Sequence, residues 1–228
     1  MSLSQKVEEA KVLLDSVNKS YTPVVFANSF GAEDMVLTDL IGRNFPNISM
    51  FTLDTERLPE ETHSLMKEVE DRYNIETKIY FPESVAVEKY VVENGLNGFY
   101  DSIAQRKACC FMRKVEPLKR ALKDKRAWIT GLRRDQALTR RDLEESEFDA
   151  DNGLQKISPL LNWSLSDVWA YIKDFNTPYN ALHDQGYSSI GCAPCTRAIT
   201  LGEDVRAGRW WWEDPETKEC GLHLKDKK

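Results

Sequence analysis

Four short apolar runs, each separated from the next by a helical pattern, constrain the fold of this chain more than any other feature. Residues 24–28, 48–54, 77–82 and 127–131 read as strands. None alternates in and out throughout, as expected of strands covered on both faces. Between them, residues 32–41, 59–73 and 85–94 read as helices. The order βαβαβα, then β, predicts an α/β fold with a mostly parallel sheet and helices on both faces. Ligands on such sheets bind beyond the carboxyl ends of the strands. Here those ends carry Asn28-Ser29-Phe30-Gly31, Leu53-Asp54-Thr55 and Thr130-Gly131-Leu132-Arg133-Arg134.

The flanking regions differ from this core. Val7, Ala10, Leu14 and Val17 recur at helical spacing among Lys and Glu. That pattern is an amphipathic helix and lacks the continuous apolar run of a signal peptide, so a cytoplasmic protein is expected. No stretch approaches the length of a membrane span. Near the other end, Ser164 with Asp167 three residues later predicts a capped helix with Leu165, Val168, Trp169 and Ile172 on one face. Pro178, Gly186, Gly191, Pro194, Gly202 and Gly208 then mark a loop-rich segment, a common setting for functional residues. The reading is one domain over residues 1–228, with an α/β core at about 21–205 and a mobile C-terminal segment, 206–228.

The net charge of −6 argues against general nucleic-acid binding. It conceals an asymmetry: residues 101–141 hold thirteen Lys/Arg against four Asp/Glu. A basic segment inside an acidic protein suggests a focused site for a small anion, although a solvated basic helix face would look the same. Arg106, Lys107, Arg113 and Lys114 read as basic loops around a cysteine pair, and Arg133, Arg134, Arg140 and Arg141 follow the fourth strand. Guanidinium groups suit bidentate binding of phosphate and sulfate. Arg206 and Arg209 precede Trp210-Trp211-Trp212, which reads as packing surface more readily than as a ligand cage. Ser29-Phe30-Gly31-Ala32-Glu33-Asp34, between strand and helix, lets backbone N–H groups approach a phosphate or sulfate, and equally fits a plain turn with Ser29 as helix cap.

The five cysteines sort into an adjacent pair, Cys109-Cys110, a C-x-x-C at Cys192 and Cys195, and a lone Cys220. An odd number without a secretion signal speaks for metal binding or catalysis over a disulfide framework. A four-thiolate iron–sulfur cluster, a zinc site and a redox dithiol all remain open on chemistry alone. An adjacent pair departs from zinc spacing, and the C-x-x-C lies in a loop-rich region instead of after an early strand, so the cluster is favoured. As a nucleophile, Cys220 would need a positive field to lower its pKa, which His223 or the site arginines could supply.

These motifs together resemble the sulfonucleotide (APS/PAPS) reductases over nearly the whole chain. The resemblance rests on Ser29 to Asp34, Leu53-Asp54-Thr55, Cys109-Cys110, Thr130 to Gln136, Gly191-Cys192-x-x-Cys195-Thr196-Arg197, Gly208 to Glu213, and Glu219-Cys220-Gly221-Leu222-His223. It implies a fold like the adenine-nucleotide α-hydrolases, with the nucleotide at the strand ends. It also implies a 4Fe–4S cluster on Cys109, Cys110, Cys192 and Cys195, a feature of members that look like reductases of adenosine 5′-phosphosulfate (APS). Members without the pairs reduce the 3′-phosphorylated nucleotide, PAPS, and some cluster-bearing members accept both.

Cys220 is the implied nucleophile, and reduced thioredoxin or glutaredoxin the implied reductant. Substrate contacts fall on Ser29, Phe30, Gly31, Asp34, Leu53, Asp54, Lys114, Gly131, Arg133, Arg140 (or Arg141), Arg206 and Arg209. A homo-oligomer without nucleic-acid or membrane partners is expected. One departure is Glu56, directly after Leu53-Asp54-Thr55, where many relatives carry Gly. Two rivals stand beside this reading. An ATP pyrophosphatase-type transferase would share the fold but leave Cys220 without a role, and a zinc-stapled nucleic-acid module is opposed by the acidity.

Overall fold

The apolar stripe of the first helix sets the core. In the computed structural model, which describes residues 1–136 and 142–214, α1 (Leu3–Ser20) buries Val7, Ala10, Leu14 and Val17, the four residues expected to face inward. Its start is fixed by a capping box in which Ser2 and Gln5 satisfy each other's backbone N–H groups. β1 (Val24–Ala27) follows, then α2 (Ala32–Asn44), β2 (Ser49–Leu53), α3 (Glu60–Tyr73), β3 (Thr77–Tyr80) and α4 (Ser84–Asn94). α5 (Ile103–Cys110) runs into a π-helical turn (Phe111–Val115) and α6 (Glu116–Leu122). β4 (Ala127–Ile129), β5 (Ser146–Asp149), β6 (Leu154–Ile157) and α7 (Leu165–Asp174) complete the regular structure.

The six strands form one sheet in the order β3-β2-β1-β4-β6-β5. β1 pairs in parallel with β2 and β4, β4 in parallel with β6, and β5 antiparallel with β6. This is the expected mostly parallel sheet with helices on both faces. Val24, Val25 and Phe26 are all buried, which is why β1 shows no polar alternation. One core gathers Leu14 and Val17 of α1, Val36, Leu37 and Leu40 of α2, Phe26, Ile129 and Ile157 of the sheet, and Val168, Tyr171 and Ile172 of α7. Each fully buried side chain of this size contributes about 1.5–3 kcal/mol. α7 starts at the predicted Ser164–Asp167 capping box, and Lys6 Nζ of α1 reaches Asp167 at 2.5 Å.

The described residues group into two compact units. One comprises Met1–Thr52, Glu61–Lys78 and Leu122–Asn180; the other comprises Leu53–Glu60, Ile79–Ala121 and Ala181–Lys228. No helix among the described residues is long and apolar enough to cross a membrane. Two expectations change. The segment around Cys109-Cys110, read as basic loops, is helical from residue 103 to 122. Its buried face carries Arg106 and Arg113, so no apolar stripe announces it. The β5–β6 pair, hidden in an acidic run, was not anticipated.

Candidate active site

At the end of β1 the chain turns through Phe30 with φ at 58°, and Asn28 Oδ1 accepts the Phe30 N–H at 2.8 Å. Gly31 is the N-cap of α2 and no side chain caps it. Ser29, expected as that cap, turns instead to Asp34: its N–H and its hydroxyl donate to Oδ2 at 2.7 and 2.5 Å. The reason is geometric, since Asp34 lies in the first turn of α2 and its carboxylate is the stronger acceptor. Gly131 after β4 packs closely against the same carboxylate. A Cβ there would lie 2.1 Å from Asp34 Oδ1, so only glycine allows the approach. Burial raises the Asp34 carboxyl to about 6, against the opposing pull of the Ser29 bonds. Arg133, expected to meet substrate, has its guanidinium on Glu33 at 2.8 Å and is 5 % exposed. Ser29, Phe30, Gly31, Asp34, Gly131 and Arg133 are thus brought together in the first unit.

The second unit brings the four described cysteines together. Cys109 and Cys110 end α5, whose start is held by Ser102 Oγ accepting the Gln105 N–H at 3.2 Å. Adjacent residues on an α-helix diverge by roughly 100°, and here the helix widens directly after the pair into the π turn. Such turns concentrate at functional sites. Cys192 and Cys195 flank a single 3₁₀ turn built on Ala193 and Pro194. That turn is braced: Cys195 N–H donates to Cys192 O at 2.9 Å, and Thr196 Oγ1 donates to Cys192 O at 3.0 Å. Ala193 N–H reaches Arg57 O at 2.8 Å. Gly208 lies so close to Arg197 O that a Cβ would sit 2.3 Å from it.

All four cysteines line one cavity with Arg57, Phe99, Arg106, Arg113, Lys114 and Pro194. Burial penalises the Cys192 thiolate, yet Lys114, the Thr55 hydroxyl 3.2 Å from its sulfur, Arg209 and Arg113 outweigh that and hold its pKa below the usual thiol value. Burial pushes Cys109 up, opposed by Arg113, and lifts Cys195 to about 12 with the help of Cys192. Burial and the neighbouring Cys192 thus oppose ionisation of Cys109 and Cys195.

Among the described residues, no three Cys, His, Asp or Glu side chains form a group that could hold a metal ion. Thiolates around one ion lie about 2.3 Å from it, as in zinc sites. Four cysteines spread around a cavity suit a larger group in which each binds a different iron. The surroundings fit it chemically. Buried Arg113 Nε and Trp212 Nε1 have no hydrogen-bond partner in the described residues, so donors remain for additional sulfur acceptors.

Arg57 and Phe99 were not singled out by sequence, and Thr55 and Arg113 only as members of wider motifs. Thr55 touches Cys192, and Arg57 packs over the Phe99 ring at 5.2 Å. Arg113 Nη1 donates to Thr55 O at 2.6 Å and meets Glu56 at 3.1 Å. Glu56, the departure from the pattern, has φ at 58°, a conformation that favours glycine, and Asp54 Oδ1 accepts its N–H at 2.7 Å. Leu53 ends β2, and Asp54 is buried. Arg209 stacks on Trp210 at 4.8 Å with Nη1 near Ile190 O, and Arg206 is half-buried. Trp210, Trp211 and Trp212 pack with Phe99 and Tyr100, as expected of packing surface. Arg140, Arg141, Cys220 and His223 lie outside the described residues.

Residues 23–198 match the phosphoadenosine phosphosulfate reductase domain. An adenosine 5′-phosphosulfate reductase of Allochromatium vinosum is 58% identical over 214 residues, covering 94% of this chain and 84% of the relative. One of Burkholderia cepacia is 51% identical, with 97% and 89% covered. Among solved structures, a PAPS reductase from Candida auris in a phosphate complex superposes with a TM-score of 0.71 at 29% identity, covering 83% of this chain and 90% of that one. Yeast FAD synthetase shares the fold at a TM-score of 0.61 and 16% identity, with 86% and 67% covered. With most of its length inside that domain and relatives more than half identical, the chain belongs to the sulfonucleotide (APS/PAPS) reductase family and is an oxidoreductase acting on a sulfur group.

Proposed function

We propose that this chain reduces adenosine 5′-phosphosulfate to sulfite and AMP in sulfate assimilation, with a thioredoxin or glutaredoxin as reductant. The observation that carries the reading is the set of four cysteines around one cavity lined by Arg57, Arg106, Arg113 and Lys114. Relatives named as adenosine 5′-phosphosulfate reductases support the choice of substrate. Cys109, Cys110, Cys192 and Cys195 would hold a 4Fe–4S cluster. When bound, that cluster supplies positive charge for four thiolates and cross-links α5 to the Cys192–Cys195 turn.

The reaction then runs in two displacements. The Cys220 thiolate attacks the sulfur of the sulfuryl group; the bond from that sulfur to the phosphate oxygen breaks, and AMP leaves with the electron pair. Cys220 is left as an S-sulfocysteine. A thioredoxin thiolate next attacks the Cys220 sulfur, and sulfite departs with the electrons of the S–S bond. The second thioredoxin thiol closes its own disulfide and returns Cys220 as thiolate. Two thiol-type exchanges replace one difficult reduction. An anionic nucleophile meets an anionic substrate, and Lys114, Arg140, Arg206 and Arg209 offset that repulsion. Ser29, Phe30, Gly31, Gly131, Leu53 and Asp54 are the residues proposed to contact the nucleotide.

Anaerobically purified protein should contain iron and acid-labile sulfide, and with reduced thioredoxin should form sulfite from APS faster than from PAPS. Enzyme mixed with APS alone should gain one sulfonate on Cys220 by mass spectrometry. Sulfite production at the native rate by Cys220→Ser would overturn the proposal.

A further inference from the structure

Neighbouring strands at the middle of the sheet leave in opposite directions. β1 lies between β2 and β4, so the chain leaving β1 crosses to one side and the chain leaving β4 continues to the other. Between two such ends a crevice opens, and a ligand placed there needs both walls held at a fixed separation. Backbone hydrogen bonds beyond the strand ends, Asn28 N–H to Phe51 O and Thr130 N–H to Ile157 O, tie each turn to its outer neighbour and not to the other turn. The first turn of α2 holds the two together. Asp34 Oδ2 accepts the N–H and the hydroxyl of Ser29 from the β1 turn. The same carboxylate lies against Gly131 of the β4 turn, so close that a Cβ there would sit 2.1 Å from Oδ1. Next to it, Glu33 holds Arg133 of the β4 turn at 2.8 Å.

We propose that Asp34 is a positioning residue for the nucleotide: its carboxylate takes two donors from the β1 turn and packs against Gly131 of the β4 turn, and thereby fixes those turns as the walls of one cradle. The inference rests on the function proposed above. Asp34 is 7 % exposed and its oxygens already serve the protein, so its part is to hold the walls and not to meet the ligand.

The geometry also makes the clasp specific for the ionised acid. Protonation of Oδ2, or an Asn amide turned to Ser29, puts hydrogens where Ser29 presents its own, and at least one donor loses its acceptor. The charged groups facing Asp34 are Glu33 on α2 and Arg133 beyond β4, and they are paired with each other. Burial, with a smaller contribution from Glu33, places the titration near 6, within reach of experiment.

The test is equilibrium binding of APS to holoenzyme carrying Cys220→Ser, which blocks covalent capture. Asp34→Asn should weaken APS binding about tenfold, the effect of losing a hydrogen bond to a charged group, while the melting temperature stays close to that of the parent. The parent's affinity should fall as pH drops through about 6, and the Asn variant should have lost that dependence. Should Asp34→Asn fail to fold, Gly131→Ala, whose methyl would press on Asp34 Oδ1, and the milder Ser29→Ala carry the test in the same direction. Native affinity in Asp34→Asn, or a pH profile shared by both proteins, would overturn the inference alone. A parent that binds neither APS nor AMP would overturn the proposed function, and the role of Asp34 with it.

Discussion

The two compact units solve the problem of buried polar groups in opposite ways. In the first, Asp39 is fully buried and accepts hydrogen bonds from the Tyr73 hydroxyl at 2.7 Å, the Tyr171 hydroxyl at 2.8 Å and the Arg43 guanidinium. Burial and the Asp39 charge push both phenols well above their ordinary range, so they remain donors at any physiological pH. That network is closed within the unit. The second unit gathers four thiols and four cations about one cavity and leaves Arg113 Nε, Arg209 Nε and Trp212 Nε1 without partners among the described residues. Buried donors of this kind cost on the order of 1–3 kcal/mol each when unpaired. The first unit leaves only Arg134 Nε and Thr177 Oγ1 in that state among the described residues and closes its Asp39 network, whereas the second is organised around chemistry that its own side chains do not finish.

That contrast can be broken most directly at Cys195. Cys195→Ser should strip iron and sulfide from the protein and lower sulfite formation at least about a hundredfold. The loss should be local: limited proteolysis of the variant should cut within residues 79–121 while residues 122–180 survive. Equal susceptibility of both segments would mean that the two units do not differ in this way.

A sharper test lies at Arg106, where the second unit does close a buried pair. Arg106 and Glu213 side chains are 1% and 4% exposed and meet at 2.5 Å, and the guanidinium also lies 4.5 Å from the Trp210 ring. Removing one member of a buried pair typically costs about 3–5 kcal/mol, because the other charge stays behind. Arg106→Ala should therefore lower the urea midpoint substantially, and a loss below about 1 kcal/mol would show the pair to be solvated and marginal.

The same two regions explain what could be read from sequence. β1 to β4 and α2 to α4 fall within a few residues of expectation, because apolar runs and helical spacing carry those elements. The cysteines stood out in sequence as two pairs and a lone residue, and the family resemblance, not their spacing, implied one cluster. What stayed hidden is the helix that presents one of those pairs. Arg106 and Arg113 are buried on α5 and the π turn, so the inward face of the helix carries charges. Their partners, Glu213 and the Thr55 carbonyl, are distant in sequence, and no local pattern predicts such pairing. Ser29 shows the same limit at smaller scale: its residue type suits a cap, and only the nearness of Asp34 decides otherwise. Arg133 looked like a free anion-binding guanidinium because Glu33 lies one hundred residues earlier.

The smallest effect expected falls in the first unit, at Asp167. Its carboxylate accepts from Ser164 and Lys6, closing the α7 capping box and tying that helix to α1. Burial opposes ionisation, but the bonds from Lys6 and Ser164 outweigh it and bring the carboxyl down to about 2. In the unfolded chain the group titrates near 3.9. A carboxyl whose folded pKa is depressed stabilises the protein fully above the unfolded value, and that contribution fades as pH falls toward the folded one. Asp167→Asn should thus cost about 1 kcal/mol near neutrality, the usual worth of a cap contact, and the gap from the parent should narrow once pH drops below about 4. Urea denaturation of both proteins along that pH series measures it. A gap that stayed constant would make the contact a matter of shape, and the polar closure ascribed to the first unit would then rest on Asp39 alone.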